Sequence, residues 1–514
     1  MKRITFLNAG NIFLLAIFTV LGIIQPAKAQ IAFDQTGMKS FADWDPDRFG
    51  GDAQGTTSKL QEAIDWCSKN EKTLYIPPGT YLVDKTIQVV TDGGVDLEEV
   101  TIIHGDAYDR PTIKLVDNTF TGNPSPVNAQ PVFNLDHKTA DKRSAWIFSN
   151  VISNLNFDLG NNPGATALQW GAAQDSHLIN IKITGESFTA GIIGFPGRNQ
   201  GNINLEVTGG KYGLALVNNR EFGAVGINLT GVKLTGQSSA GILIQNLRGT
   251  TIVGAEILDC RGNAIEQSSG GSYEKAQLYL LDAKIQMAGN NAAMKMNDRN
   301  LVMRNVYVRG TSKIVEGNNT LTTSSPSEWT YVKTYASAQS PTSGKMAYNY
   351  INGSKKVGDE LAEVRTGVPP PFNTRTKHIP GLYAWNHPNA VLAFATGDND
   401  KAAKLQQKID GPAKVIYIPA GKHNLDKSIL LKNGKVLIGD PGKRSWLQPT
   451  YNLGGDISLW SKRKTRTVTW PCRISLSIPG IKTMMALSNG RPAAGSFLIP
   501  GSTKKPRLRN QTPG

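Results

Sequence analysis

Cysteine is nearly absent from this chain of 514 residues, with only Cys67, Cys260 and Cys472 present. Three scattered cysteines cannot build a disulfide framework. Cys67 and Cys260 sit among apolar residues, which marks them as buried thiols, and no Cys/His spacing suggests zinc. Long apolar runs are equally scarce. The run over residues 12–24 is shorter than the roughly 20 residues a membrane span needs, and no comparable run follows it. Acidic residues are missing from two stretches, 1–29 and 461–514, which hold three and eleven Lys and Arg residues. Removing these two stretches lowers the formal net charge from +16 to +2 over residues 30–460. The positive balance is therefore not a nucleic-acid signature.

Lys2 and Arg3 precede the apolar run, and Ala27-Lys28-Ala29 supplies a small-x-small cleavage pattern before Gln30. Residues 1–29 read as an export leader. The expected location is secreted or periplasmic, with no membrane contact once the leader is removed; a retained N-terminal anchor is the alternative.

What the chain has is a doubled signature. Residues 75–87 read YIPPGTYLVDKTI and residues 417–429 read YIPAGKHNLDKSI, identical at seven of thirteen positions. Each copy follows a matching segment, KLQEAID at 59–65 and KLQQKID at 404–410. Leu60, Ala63, Ile64 and Cys67 fall at helical spacing and form one apolar stripe. Ser58 and Gln61 fit a capping box at the start of that helix. A helix with a single apolar stripe, followed at once by short strands, suits a cap over the open end of a β-solenoid.

Between the two signatures a short pattern recurs: a small or polar residue, an aliphatic, a variable residue, an aliphatic. It starts at Asn154, Asn180, Asn204, Gly231, Gly254, Asp282 and Asn305, at intervals of 23 to 28 residues. Second strands are expected near residues 168–170, 192–195, 214–217, 242–245 and 294–296. Polar turns and the lack of intervening helices make this an all-β chain with a parallel β-helix. The third residue of each pattern points outward, which stacks Asn156, Lys182, Glu206, Lys233, Glu256, Lys284 and Tyr307 into a ladder of alternating charge. Such alternation relieves repulsion between rungs roughly 4.8 Å apart, so the ladder reads as structural.

The domain layout follows. Residues 30–310 form the first β-helix, with its cap at 50–87. Residues 311–384, rich in Ser, Thr, Pro and Gly, form an interdomain connection. Residues 385–460 hold a second cap and the first coils of a second β-helix. Residues 461–514 have no rung spacing. They read as a basic disordered tail, or as a reading-frame change or truncation after Leu459.

The string Gly51-Asp52, KLQEAID and LYIPPGTYLVDKTI resembles the N-terminal cap of the pectate-lyase-like superfamily. Two such caps in one chain resemble the tandem β-helix glycosidases of the exo-β-1,3-glucanase type. The resemblance spans residues 45–310 and 385–440. It implies a right-handed parallel β-helix and a secreted carbohydrate-active protein, with a polysaccharide as partner and no cofactor. The polygalacturonase residue set and the R-x-P-x-x-R string of calcium-dependent pectate lyases are not found in the sequence, and the resemblance to the tandem enzymes places their important residues on the second helix or in the cleft between helices, so no catalytic residue carries over.

Candidate chemistry therefore comes from the residues themselves. Glycosidic hydrolysis needs two carboxylates; elimination needs a base and a cation beside the sugar carboxylate. The stretch from Asp259 to Glu266 is the most suggestive. Glu266 takes a strand position that holds Gln169, Ile193, Ala215, Leu243 or Lys295 in other rungs. The candidate catalytic carboxylates are Glu266, Asp259 and Asp282, with Arg261, Lys295 and Trp170 as substrate contacts and no metal ligands. An exposed Glu266–Lys295 salt bridge is the plainer reading of that pair, and Trp170 also fits a core position. His177 reads as a turn residue bonded to backbone. Three functions stay open: a polysaccharide hydrolase, a lyase on a uronate polymer, and a non-catalytic carbohydrate-binding or adhesion module. Oligomeric state is open too.

Overall fold

The computed structural model describes residues 31–45, 52–89, 100–135, 149–171, 176–194, 201–217, 226–245, 249–267, 277–296, 300–317, 320–337, 348–351, 354–357, 362–381, 383–440 and 445–450. The leader, Phe195 (the apolar end of the strand expected at 192–195, which could also stack on a sugar), Leu459 and the basic tail lie outside the described residues.

Each turn of the first unit places one long strand in a parallel sheet, here sheet A, and one short strand in a second, sheet B. Sheet A stacks Val151–Asp158, His177–Thr184, Asn202–Thr208, Ile227–Thr235, Thr250–Cys260, Gln277–Met287 and Asn300–Arg309. Sheet B stacks Gln130–Leu135, Ala165–Trp170, Ala190–Ile193, Tyr212–Leu216, Ala240–Ile244, Asn263–Gln267, Met294–Met296 and Lys313–Gly317. This is the expected all-β solenoid.

Register keeps like with like. Phe157, Ile183, Val207, Leu234, Ile257, Ile285 and Val308 pair rung to rung and all are buried. Facing them from sheet B are Phe133, Leu168, Ile192, Leu214, Ile242, Ile265, Met294 and Val315, which share the same core. Each buried side chain of this size contributes about 1.5–3 kcal/mol, so the continuous core follows directly from the period-two pattern. The outward ladder predicted from Asn156 to Tyr307 is in register along its whole length.

Each of these seven strands of sheet A bends at a residue with positive φ near its middle, and Thr250–Cys260 has a second near its end at Asp259 (56°). The mid-strand residues are Asn154 (57°), Asn180 (59°), Asn204 (56°), Gly231 (71°), Gly254 (71°), Asp282 (53°) and Asn305 (57°). Asn, Asp and Gly tolerate that left-handed conformation, which explains why the repeat opens with them.

Helix α1, Ala53–Lys69, covers the N-terminal end of the solenoid, with Leu60, Ala63, Ile64 and Cys67 buried against the core as the stripe predicts. Its start differs from expectation. Asp52 is the N-cap, its Oδ1 accepting from the Gly55 amide at 2.5 Å, so Ser58 and Gln61 lie inside the helix rather than at its end. Gln61 instead grips the following strand: its Nε2 donates to the Gln88 carbonyl at 2.9 Å and its Oε1 accepts the Gln88 amide at 2.8 Å.

At the other end the stack closes by reversing direction. Thr330–Ser337 pairs antiparallel with Asn300–Arg309, Ala362–Thr366 pairs antiparallel with Thr330–Ser337, and Leu321–Thr322 reverses on sheet B. Part of 311–384 therefore belongs to the first solenoid instead of merely connecting two units. The outer strand carries Glu363 and Arg365, charges that discourage pairing with another edge.

The second signature rebuilds the first at the level of atoms. Helix α2, Lys401–Asp410, buries Leu405 and Ile409. Gln406 Nε2 donates to the Leu430 carbonyl at 3.2 Å and its Oε1 accepts the Leu430 amide at 2.7 Å, repeating Gln61. Parallel strands Ala390–Leu392, Val415–Ile418 and Val436–Gly439 follow the same order as those of the first cap. The unit has its own core around Leu405, Ile416, Ile418, Leu425 and Leu437.

Candidate functional site

Sheet B carries one outward-facing residue per rung. In register these are Gln88, Asn134, Gln169, Ile193, Ala215, Leu243, Glu266, Lys295 and Glu316. The column changes character along its length. Asn134 Nδ2 donates to Gln88 Oε1 at 2.9 Å. Ile193, Ala215 and Leu243 are buried although they face outward; Ile193 and Ala215 pack with Ala129, Tyr212 and Val217. The last three rungs, Glu266, Lys295 and Glu316, are charged and partly open to solvent.

Lys295 Nζ lies 3.8 Å from Glu266 Oε1, and Asn263 Nδ2 donates to Glu266 Oε2 at 3.0 Å. On the next rung Lys313 Nζ lies 2.8 Å from Glu316 Oε2. That hydrogen bond and the Lys313 charge, with Lys295 nearby, hold the Glu316 carboxyl below the usual range. Glu316 lies beyond the stretch in which rung spacing can be read, so its place in the same column as Glu266 emerges only from the strand register.

The structure divides the other candidates. Arg261 lies at the exposed corner between the strands holding Asp259 and Glu266, its carbonyl accepting from Asn291 Nδ2 at 2.7 Å. Asp259, at the same corner, accepts from Gln286 Nε2 at 2.9 Å. Trp170 is wholly buried in the core. Asp282 belongs to the bend of sheet A, not to sheet B. His378 Nε2 lies 2.7 Å and Lys377 Nζ 3.3 Å from its Oδ2, and Asn305 Nδ2 donates to its Oδ1. Burial alone would raise this carboxyl; the bonds from Asn305, Lys377 and His378 outweigh it and hold the group below the usual range. Among the described residues, no hydrogen bond or ion pair joins any two of Glu266, Asp259 and Asp282. His177 opens a strand and bonds the Gly201 carbonyl through Nδ1 at 3.1 Å.

A second polar cluster lies between the two caps. Asp106 Oδ2 accepts from the Tyr75 hydroxyl at 2.8 Å and from Asn386 Nδ2 at 2.7 Å, while its Oδ1 accepts the amides of Tyr108 and Asp109. Asp440 of the second cap accepts from the Thr73 hydroxyl of the first at 2.5 Å. Among the described residues, no group of three His, Cys, Asp or Glu side chains is placed to hold a metal ion, and no helix is long and apolar enough to cross a membrane.

Residues 48–266 match the family model described as rhamnogalacturonase A/epimerase, pectate lyase-like. A glucan endo-1,3-beta-glucosidase of Trichoderma harzianum is 26% identical over 442 residues, a match that covers 79% of this chain and 53% of the relative. The chain thus spans about half the length of that relative. Among solved structures, the surface adhesin PfbA of Streptococcus pneumoniae aligns at 10% identity over 59% of this chain and 98% of the adhesin, with a TM-score of 0.26. The catalytic unit of an alpha-1,3-glucanase from Streptomyces thermodiastaticus aligns at 14% identity over 57% of this chain and 68% of that one, with a TM-score of 0.22.

Proposed function

From the pectate-lyase-like domain of residues 48–266, we propose that this exported, carbohydrate-active chain hydrolyses the glycosidic bonds of an extracellular 1,3-linked glucan. The observation that carries this reading is the extent of the glucanase match. At 79% of the chain it exceeds the first solenoid, whose last rung in sheet B ends at Gly317, so it reaches into the doubled architecture.

The charged end of the sheet B column offers the chemistry. Glu266 and Glu316 are two rungs apart, roughly 9.6 Å by strand spacing, close to the upper end of the 6.5–9.5 Å or so that separates the carboxylates of inverting glycosidases. In this assignment Glu316, kept ionised by Lys313, activates water, and Glu266 protonates the leaving oxygen. Lys295 and Arg261 bind sugar hydroxyls at the two sides of Glu266.

The test is full-length protein incubated with a soluble β-1,3-glucan, scored for new reducing ends. Glu266→Gln and Glu316→Gln should each lower turnover at least about 100-fold, the range that acid–base groups supply. Unchanged turnover in both variants would reject the assignment of residues while leaving the activity. Products absorbing as unsaturated uronates would indicate elimination, and retention on the glucan without turnover would indicate a binding module.

A further inference from the structure

The bends of sheet A carry a hydrogen-bonded ladder with a gap in it. Asn180 Nδ2 donates to Asn154 Oδ1 at 2.7 Å, and Asn204 Nδ2 donates to Asn180 Oδ1 at 2.8 Å. After two intervening rungs the run resumes, with Asn305 Nδ2 donating to Asp282 Oδ1. Between them stand Gly231 and Gly254, the rungs at this corner that lack a side chain.

The gap is filled by a distant piece of the chain. Residues 373–379, around the 3-10 turn Thr376–His378, lie across the two glycines. Arg375 is 5% exposed. Its Nη2 donates to Asn204 Oδ1 at 2.5 Å and to Glu206 Oε1 at 2.9 Å, and its Nε donates to the Gly231 carbonyl at 2.9 Å. The guanidinium thus ends the lower ladder on a charged donor and takes Glu206 out of the outward charge ladder. At the other side His378 and Lys377 meet Asp282, which ends the upper ladder. The fit between is close. A Cβ on residue 231 would fall 2.5 Å from Ile379 Cγ1, and one on residue 254 would fall 2.7 Å from His378 Cδ2.

A solenoid does not itself need glycine at these bends, because Asn occupies the same left-handed region, at φ of 56° to 59° against 71° for the two glycines, at four other rungs. We propose that Gly231 and Gly254 form a seat built for residues 373–379, and that this clasp holds the second cap against the first. The clasp lies just before the chain enters the second cap, whose junction with the first joins an apolar cluster of Ile31, Phe33, Tyr75, Trp385 and Tyr417 to a set of polar contacts. These include the Ala420 amide bonded to the Thr36 carbonyl at 2.9 Å, Asn386 to Asp106, and Thr73 to Asp440. A short turn bonded at both ends to a rigid stack limits the freedom of everything that follows it.

The double variant Gly231→Asn/Gly254→Asn tests this without disturbing the stack, since Asn completes the ladder while its side chains occupy the seat. Full-length protein is digested with trypsin, cleavage after Arg375 is followed by mass spectrometry, and hydrogen exchange is read at Ala420. The expected result is an unchanged solenoid transition in thermal unfolding, cleavage after Arg375 at least about tenfold faster, and a similar loss of protection at Ala420, as local opening becomes cheap. Arg375→Ala should lower Ala420 protection in the same direction. Cleavage no faster than in the parent chain would overturn the seat. Faster cleavage with full protection at Ala420 in both variants would overturn the holding role.

Discussion

Tyr75 and Asp106, 31 residues apart in sequence, meet at 2.8 Å between hydroxyl and carboxylate where the two caps join. The second cap holds Tyr417 and Asp440 at the matching positions, but among the described residues the Tyr417 hydroxyl has no hydrogen-bond partner; burial, with the Asp440 charge adding to it, pushes that hydroxyl well above its ordinary range. The duplicated signature therefore places a tyrosine and an aspartate on each side of one junction. Asp106 accepts four hydrogen bonds and is almost fully buried. Asp106→Ala should cost about 2–4 kcal/mol, because several donors lose their acceptor at once. Tyr75→Phe removes one bond of four and should cost about 1 kcal/mol. Denaturant unfolding monitored by tryptophan fluorescence checks both, and equal costs would show that the carboxylate is not the centre of the cluster.

Acid should weaken the same region through His104. Its Nδ1 lies 2.7 Å from Ser153 Oγ, and its Nε2 lies 3.4 Å from Asn154 Nδ2, an amide donor. The ring is accordingly neutral, with the proton on Nδ1. Burial lowers its pKa from 6.5 to about 4, the nearby Asp106 charge opposing the shift only in part. Between those two values the unfolded chain holds a proton that the folded chain refuses, so stability falls as pH drops from about 6.5 to about 4. Above that window the contribution is complete. The loss is on the order of 3 kcal/mol. Denaturant midpoints measured from pH 7 to pH 4.5 should show it, and His104→Gln, which takes up no proton, should flatten that part of the profile.

How far the sequence carried depends on the distance over which a contact acts. The rungs, the apolar stripe of α1 and the outward ladder from Asn156 to Tyr307 were legible because each depends on spacing within one or two repeats. Ser58 was misplaced as a cap because Asp52, six residues earlier, was the stronger N-terminal signal. The antiparallel closure by Thr330–Ser337 and Ala362–Thr366 was obscured because reversing strands abandon the rung period. Arg375 was out of reach for another reason: its partners lie 144 to 171 residues away. The only local trace of them is that Gly231 and Gly254 stand where other rungs hold Asn or Asp, and glycine in a turn ordinarily needs no partner to explain it.

Trp170 separates a core role from a sugar-binding one. Its ring is wholly buried and its Nε1 has no hydrogen-bond partner among the described residues. Trp170→Phe deletes an unsatisfied donor along with some volume, so it should cost less than about 2 kcal/mol, whereas Trp170→Ala should cost about 3–5 kcal/mol. Glucan affinity of the folded Phe variant should equal that of the parent chain. A Phe variant with the same melting temperature and several-fold weaker glucan binding would restore Trp170 as a substrate contact.

The two described thiols should be inert while the fold holds. Cys260 is buried, with its Sγ 3.5 Å from Gln237 Oε1, and burial pushes its pKa up to about 12; Cys67 is on the buried face of α1. Since the thiolate is the reactive form, neither should be labelled by a maleimide at pH 8 until denaturant unfolds the solenoid. Peptide mapping of the labelled protein identifies the sites, and native labelling at Cys260 would contradict its place in the core.

Lys295 offers the sharpest division between structure and function on the sheet B column. It is 40% exposed and 3.8 Å from a carboxylate oxygen, a geometry in which an ion pair contributes less than about 1 kcal/mol. Lys295→Met keeps the length of the stem and removes only the charge, so the melting temperature should move by no more than a few degrees. If the column is the site of hydrolysis, the same change removes the cation between Glu266 and Glu316, leaving two carboxylates to share one face without it. Glu316 should then titrate higher than in the parent chain, because one of the charges holding it down is gone. Turnover of glucan should fall and the acid limb of its pH profile should move upward. A variant with unaltered stability, turnover and pH profile would show that the charged end of the column is only a solvated face, and would reject it as the site of hydrolysis.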